Sequence, residues 1–164
     1  MKTLYLLRHA KSSWNFEELS DHDRPLNNRG RHDAPLIGRE LLSRDIELDL
    51  IISSSAVRAL TTASLVAKEL DYETSRMVID ENIYGASKEE LYRIIQKTSD
   101  AVDSLMLVGH NPDISDLANM LSPEHIVDMP TAAVVSLRFT CLSWKEINQE
   151  NAALLFYDFP KNHK

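Results

Sequence analysis

Only one cysteine, Cys141, occurs in the 164 residues, so no intramolecular disulfide can form, and its neighbours offer neither a CxxC pair nor an obvious metal cluster. A reducing compartment, the cytoplasm, is the expectation. Long apolar runs are scarce too. The stretch from Met1 to Leu7 has the superficial look of a secretion signal, but Arg8 and His9 cut it short and no longer span follows. Cationic residues are in deficit, 18 Lys and Arg against 25 Asp and Glu, for a formal charge of -7. That balance argues against nucleic acid or anionic membrane as a partner, so any anion site must be local. No Walker-type glycine-rich loop and no His-Glu-x-x-His pair is present, which leaves a P-loop nucleotide site and a zinc hydrolase without sequence support. Repeats and low-complexity tracts are absent, and the tail Lys161 to Lys164 reads as frayed.

What remains is 43% hydrophobic residues, enough for one substantial core, and the expectation is a single domain over residues 1–164. Thr3 to Leu7, Leu48 to Ile52 and Leu105 to Val108 are short apolar runs of the kind buried on both faces of a parallel sheet. Met77 to Ile79 suits a further short strand. Between them lie helical stripes: Ala34, Ile37 and Leu41; Leu60, Ala63, Ala67 and Leu70; Leu91, Ile94 and Ile95; Ile114, Leu117, Ala118 and Leu121. Ser53 to Ser55, Ser87 with Glu90, and Asn111 followed by Pro112 supply helix-start signals. Lys11 to Arg31 reads as a long polar loop, with Pro35 leaving the start of the next helix open. Ala132 to Phe139 and Ala153 to Phe159 form a late hairpin joined through Asn148 to Asn151. This alternation predicts a three-layer α/β/α sandwich on a mostly parallel sheet, with its ligand site beyond the carboxyl ends of the strands.

Three of those strand ends carry cationic or imidazole groups: Arg8 and His9, Arg58, and His110. Singly, each has a structural explanation as an ion-pair partner or core histidine. Two guanidiniums and two imidazoles converging at strand ends make a site for a tetrahedral dianion, with phosphate the obvious candidate. A neutral imidazole is a competent phosphoryl acceptor, and neighbouring arginines would keep His9 unprotonated.

These residues fall in recognisable order. Leu7-Arg8-His9-Ala10 resembles the Arg-His-Gly signature of the histidine phosphatase superfamily, with alanine in place of the usual glycine. Ser53-Ser54-Ser55-Ala56-Val57-Arg58 is similar to the second motif and Val108-Gly109-His110-Asn111 to the third. Asp23-Arg24-Pro25-Leu26, Gly30 to Pro35 and Met129 to Val134 are similar to stretches of the small SixA-type phosphohistidine phosphatases, so that the likeness covers roughly residues 2 to 140. The resemblance implies a phosphoglycerate mutase-like fold and a phosphatase without metal or organic cofactor. His9 is then the nucleophile, Arg8, Arg58 and His110 hold the phosphoryl oxygens, and Asn15 matches an asparagine that helps hold phosphate. Glu81, in Asp80-Glu81-Asn82-Ile83-Tyr84-Gly85, matches the glutamate acid of the mutase branch, and Asp21 and Asp23 are weaker acid candidates. The implied substrate is a phosphohistidine-bearing protein or a related phosphomonoester. The alternatives are a phosphatase of small metabolites and a non-catalytic phosphate-binding module.

Overall fold

The computed structural model describes residues 1–164. Alternating apolar residues explain the central strand β1 (Lys2–Arg8): Leu4 and Leu6 face one core, Tyr5 and Leu7 the other. It pairs in parallel with β4 (Ser104–Gly109) and antiparallel with β5 (Val134–Phe139). With β2 (Leu50–Ser54), β3 (Val78–Asp80) and β6 (Ala152–Asp158) the order is β3-β2-β4-β1-β5-β6, the first four strands parallel and the β5-β6 pair closing one edge.

Helices cover both faces, as expected of a parallel sheet whose strands have no polar side. Helices α1 (Asn28–Ser43) and α2 (Val57–Glu69) pack through Ile37, Leu41, Ala63 and Val66 onto Tyr5, Leu7, Ile51, Met106 and Val108. On the other face α3 (Lys88–Gln96) and α4 (Asp113–Leu121) bring Leu91, Ile95, Ile114 and Leu117 against Leu4, Leu6, Leu105 and Leu107. Each such buried aliphatic side chain contributes about 1.5–3 kcal/mol, so the two cores hold β1 and β4 rigidly side by side. Ser87 caps α3 with the reciprocal bond from Glu90, as its sequence signal predicts.

Four local expectations are corrected. Helix α1 starts at Asn28, not near Ala34: Asn27 caps it by accepting from the Gly30 amide, and Pro35 lies inside it. Its first turns were hidden because the buried face there is Gly30 and Asp33, not an apolar stripe. Ser53 and Ser54 belong to β2, and Ala56 precedes α2 without a side-chain cap. The Asn111 side chain does not cap α4; it donates to the Met129 carbonyl and accepts from Ser115, while Pro112 precedes the first helical residue. Finally, the tail is tied down. His163 Nε2 meets buried Asp158 at 2.7 Å and Lys164 Nζ lies 2.8 Å from buried Asp33.

Gly30 is where the first turn of α1 touches the segment that follows His9. A Cβ there would lie 2.1 Å from the Lys11 carbonyl oxygen, a clash with backbone that cannot rotate away. Gly30→Ala is expected to cost on the order of 3 kcal/mol, roughly 10 °C in melting temperature. An unchanged calorimetric melt would show that α1 can draw back freely.

Candidate active site

Parallel pairing aligns Arg8 with Gly109. The next residue on each strand is a histidine, and the His9 and His110 rings lie 5.2 Å apart, centroid to centroid. Main-chain bonds fix His9 from both sides: its amide donates to the Gly109 carbonyl and its carbonyl accepts from the Ala132 amide. Beside it, the Ala10 amide donates to Thr62 Oγ1, which donates in turn to the Arg58 carbonyl, tying this turn to α2.

Both imidazoles carry their proton on Nδ1, each for a different reason. His9 Nδ1 faces the Ala10 carbonyl oxygen at 2.7 Å, an acceptor only, so Nδ1 carries the hydrogen and Nε2 the lone pair. His110 Nε2 lies 2.8 Å from Ser54 Oγ. Ser54 Oγ already accepts from the Ala56 amide, and its hydroxyl has no other acceptor, so it donates to His110 and leaves the ring hydrogen on Nδ1. Burial is the main reason both rings stay neutral. It lowers His9 from 6.5 to about 3, with smaller contributions from His110, Arg58 and Arg8 opposing the Ala10 hydrogen bond. His110 is lowered to about 4, again by burial first and Arg58 next. The arginines thus act on His9 as expected, but second to desolvation.

These depressed values have a sign. Below pH 6.5 the unfolded chain takes up protons that the folded state refuses, so stability falls as pH drops from 6.5 towards 3 and is flat above that range. We expect the ring resonances of His9 and His110 in the free protein to pass through pH 6.5 without inflection. A midpoint near 6.5 for His9 would contradict its burial.

Arg8 donates through Nη1 to the Met129 carbonyl at 2.9 Å. Arg58, which is buried where Arg8 is half-buried, is held at its far end by Asp21: Nη1 donates to the Asp21 carbonyl at 2.7 Å and Nη2 to its carboxylate at 3.1 Å. Asp21 also accepts from Arg24 and from the Tyr84 hydroxyl. These bonds, Tyr84's first, lower Asp21 to about 2, so it is a carboxylate that positions Arg58 and has no proton to give. Three N–H groups of the cluster remain buried without an acceptor: Arg8 Nε, Arg58 Nε and His110 Nδ1. Buried donors rarely stay unpaired, so each of these N–H groups calls for an acceptor, a ligand oxygen or a water, at the cluster.

The structure thus brings together Arg8, His9, Arg58 and His110, and does not add Asn15 or Glu81 to them. Asn15 is exposed on the loop after the first motif, its side chain beside a cleft lined by Phe16, Pro25 and Arg31. Glu81 is exposed in the turn after β3 and makes no side-chain hydrogen bond or ion pair. Ser54, Thr62, Tyr84 and the Met129 carbonyl serve the cluster and were not singled out from sequence; only the serine-rich turn gave any signal. A trio that suits a cation, Glu40, Asp158 and His163, has its ligand atoms within 4.8 Å of one another but lies apart, with Arg44 and Asn162 already on Asp158.

The sequence profile of the histidine phosphatase superfamily, branch 1, matches residues 4–103. The chain belongs to that superfamily. A SixA protein of Agrobacterium tumefaciens is 29% identical and superposes with a TM-score of 0.80 over 97% of this chain and 99% of its own. The protein histidine phosphatase SixA complexed with tungstate gives a TM-score of 0.83 at 21% identity, over 99% of both chains. An uncharacterized chloroplast protein of Arabidopsis thaliana is 33% identical over 153 residues, 88% of this chain and 70% of its own length. The phosphoglycerate mutase-like fold read from the motifs is therefore the histidine phosphatase fold of the SixA proteins.

Proposed function

We propose that this histidine phosphatase removes the phosphoryl group from phosphohistidine on a protein, through a covalent intermediate on His9. The observation that carries this reading is the trio of buried, unpaired donors on Arg8, Arg58 and His110 beside a neutral His9 with a free lone pair on Nε2. Three donors suit the equatorial oxygens of a transferring phosphoryl group, whose charge must be neutralised in flight. A phosphate-binding module would need the cations but would have no use for the lone pair.

In the first step His9 Nε2 attacks phosphorus as the bond from phosphorus to the substrate nitrogen breaks in line. The leaving imidazole, protonated on its other nitrogen, departs neutral, so no acid on the enzyme has to supply a proton. Water then attacks the phosphoryl group, the His9–phosphorus bond breaks, and the water proton leaves on inorganic phosphate. Throughout, Nδ1–H stays on the Ala10 carbonyl and holds the ring in line. That chemistry fits exposed Glu81 and ionised Asp21, neither of which is poised to donate.

A protein substrate is favoured over a small metabolite by shape. Asp21, which holds Arg58 directly, is exposed to solvent, so the cluster lies one residue below the surface. Selective metabolite enzymes enclose their ligand, whereas a shallow site accepts a group displayed on a surface. The tungstate bound to the SixA relative is a tetrahedral oxyanion, as phosphate is. No helix is long and apolar enough to cross a membrane. With its one cysteine free, we place the enzyme in the cytoplasm, as one domain spanning residues 1–164. The deciding experiment is phosphate release from a phosphohistidine-bearing protein in excess chelator. Release supports the reading; no release there, with turnover of sugar phosphates, would reassign the substrate.

A further inference from the structure

Between the first motif and the segment that positions Arg58 runs a loop with an unusual surface. Residues 14–23, Trp-Asn-Phe-Glu-Glu-Leu-Ser-Asp-His-Asp, contain no lysine or arginine and four carboxylates. Three of their large apolar side chains face solvent: Trp14 is 71% exposed, Phe16 44% and Leu19 38%. Isolated apolar residues on a surface need no explanation, but three exposed within six positions concentrate apolar surface on one loop.

The patch is anchored to the active site through a short relay. The Arg24 guanidinium stacks on the Trp14 ring at 3.6 Å from the centroid. Buried Arg24 donates to Ser12 Oγ at 2.7 Å, to the Ser13 carbonyl at 3.2 Å, and to Asp21, whose carboxylate also holds Arg58. Trp14 therefore stands one stacked contact and two hydrogen-bonded contacts from a phosphate-binding arginine. Its inner face is fixed on Arg24 while its outer face stays open, the arrangement of a preorganised aromatic anchor at a protein interface.

We propose that the Trp14–Phe16–Leu19 patch is the docking surface for the phosphoprotein substrate, and that the partner presents its phosphohistidine beside an apolar face bordered by lysine or arginine. The partner's chemistry follows from charge complementarity: Asp21 is committed to Arg24 and Arg58 and Asp23 lies against His22, while Glu17 and Glu18 are exposed on the same loop without an ion pair. The phosphoryl group enters a cationic well and the protein around it meets an acidic rim, a pattern that sets register and excludes uniformly acidic phosphoproteins. This inference rests on the phosphohistidine-protein reading above.

The test compares two substrates, free phosphohistidine and a phosphohistidine-bearing protein, on wild type, Trp14→Ala, Phe16→Ala and the double charge reversal Glu17→Lys with Glu18→Lys. Wild-type turnover of the phosphoprotein reports on the reading itself, and its absence would remove both claims. If that turnover is present, Trp14→Ala is expected to raise KM for the phosphoprotein about 30-fold and Phe16→Ala several-fold, and Phe16→Ala, which makes no contact with Arg24, to keep kcat/KM on free phosphohistidine within about twofold. The charge reversal, remote from Arg24, should weaken the phosphoprotein several-fold in low salt and lose most of that effect near 1 M salt. Equal losses on both substrates would make Trp14 a prop for Arg24 and overturn the docking role, as would no change on either.

Discussion

His9→Ala is expected to lower phosphate release by a factor on the order of 10,000 or more, the scale seen when a covalent nucleophile is removed from its constellation. The fold should survive, because the ring makes one side-chain hydrogen bond, to the adjacent Ala10 carbonyl, while the backbone bonds to Gly109 and Ala132 are kept. A melting curve within a few degrees of wild type would separate lost chemistry from lost structure. The intermediate can also be seen directly. Samples quenched in alkaline detergent and kept alkaline should carry phosphate on wild type and none on His9→Ala. Full activity in the variant would end the proposed mechanism, whatever the substrate.

Arg58→Ala is expected to reduce kcat/KM by about 100- to 1,000-fold, the cost of losing a preorganised donor to the transferring group. Two things are lost together, the buried Nε–H and the charge that Asp21 holds in place. Arg58→Lys should recover little, since an ammonium has no planar fork to serve Asp21 at one edge and phosphate at the other. Asp21 gives the control. Asp21→Asn keeps the guanidinium but removes the carboxylate that fixes it, so a smaller loss, concentrated in kcat, is expected. Wild-type rates in Arg58→Ala would remove it from the phosphate site.

Arg8, His9 and His110 were legible because they lie at the ends of strands whose apolar runs are hard to misread, and Arg58 because it opens the helix after a third. Arg8 and His9 come directly after Leu4 to Leu7, and His110 after Leu105 to Val108. Helix α3 announced itself through Ser87 and Glu90. Where a buried face is polar or small, that signal fails: Gly30 and Asp33 hid the first turns of α1. The serines before Arg58 read as caps because a local rule suits them, yet Ser54 spends its hydroxyl on His110 across the sheet.

By itself, the sequence determined the layered α/β class and the identities of the two arginines and two histidines at the strand ends, because hydrophobic periodicity and motif order are local properties. Only the tertiary structure decided which nitrogen of each imidazole carries its proton, that burial more than charge keeps His9 neutral, that Asp21 grips Arg58, and that Trp14 stacks on Arg24 at the rim. Each of these depends on groups far apart in the chain, such as Ser54 with His110 and Asp21 with Arg58. Their contact is set by the β1-β4-β2 register and by the path of the loop, and by no pattern within reach of one segment.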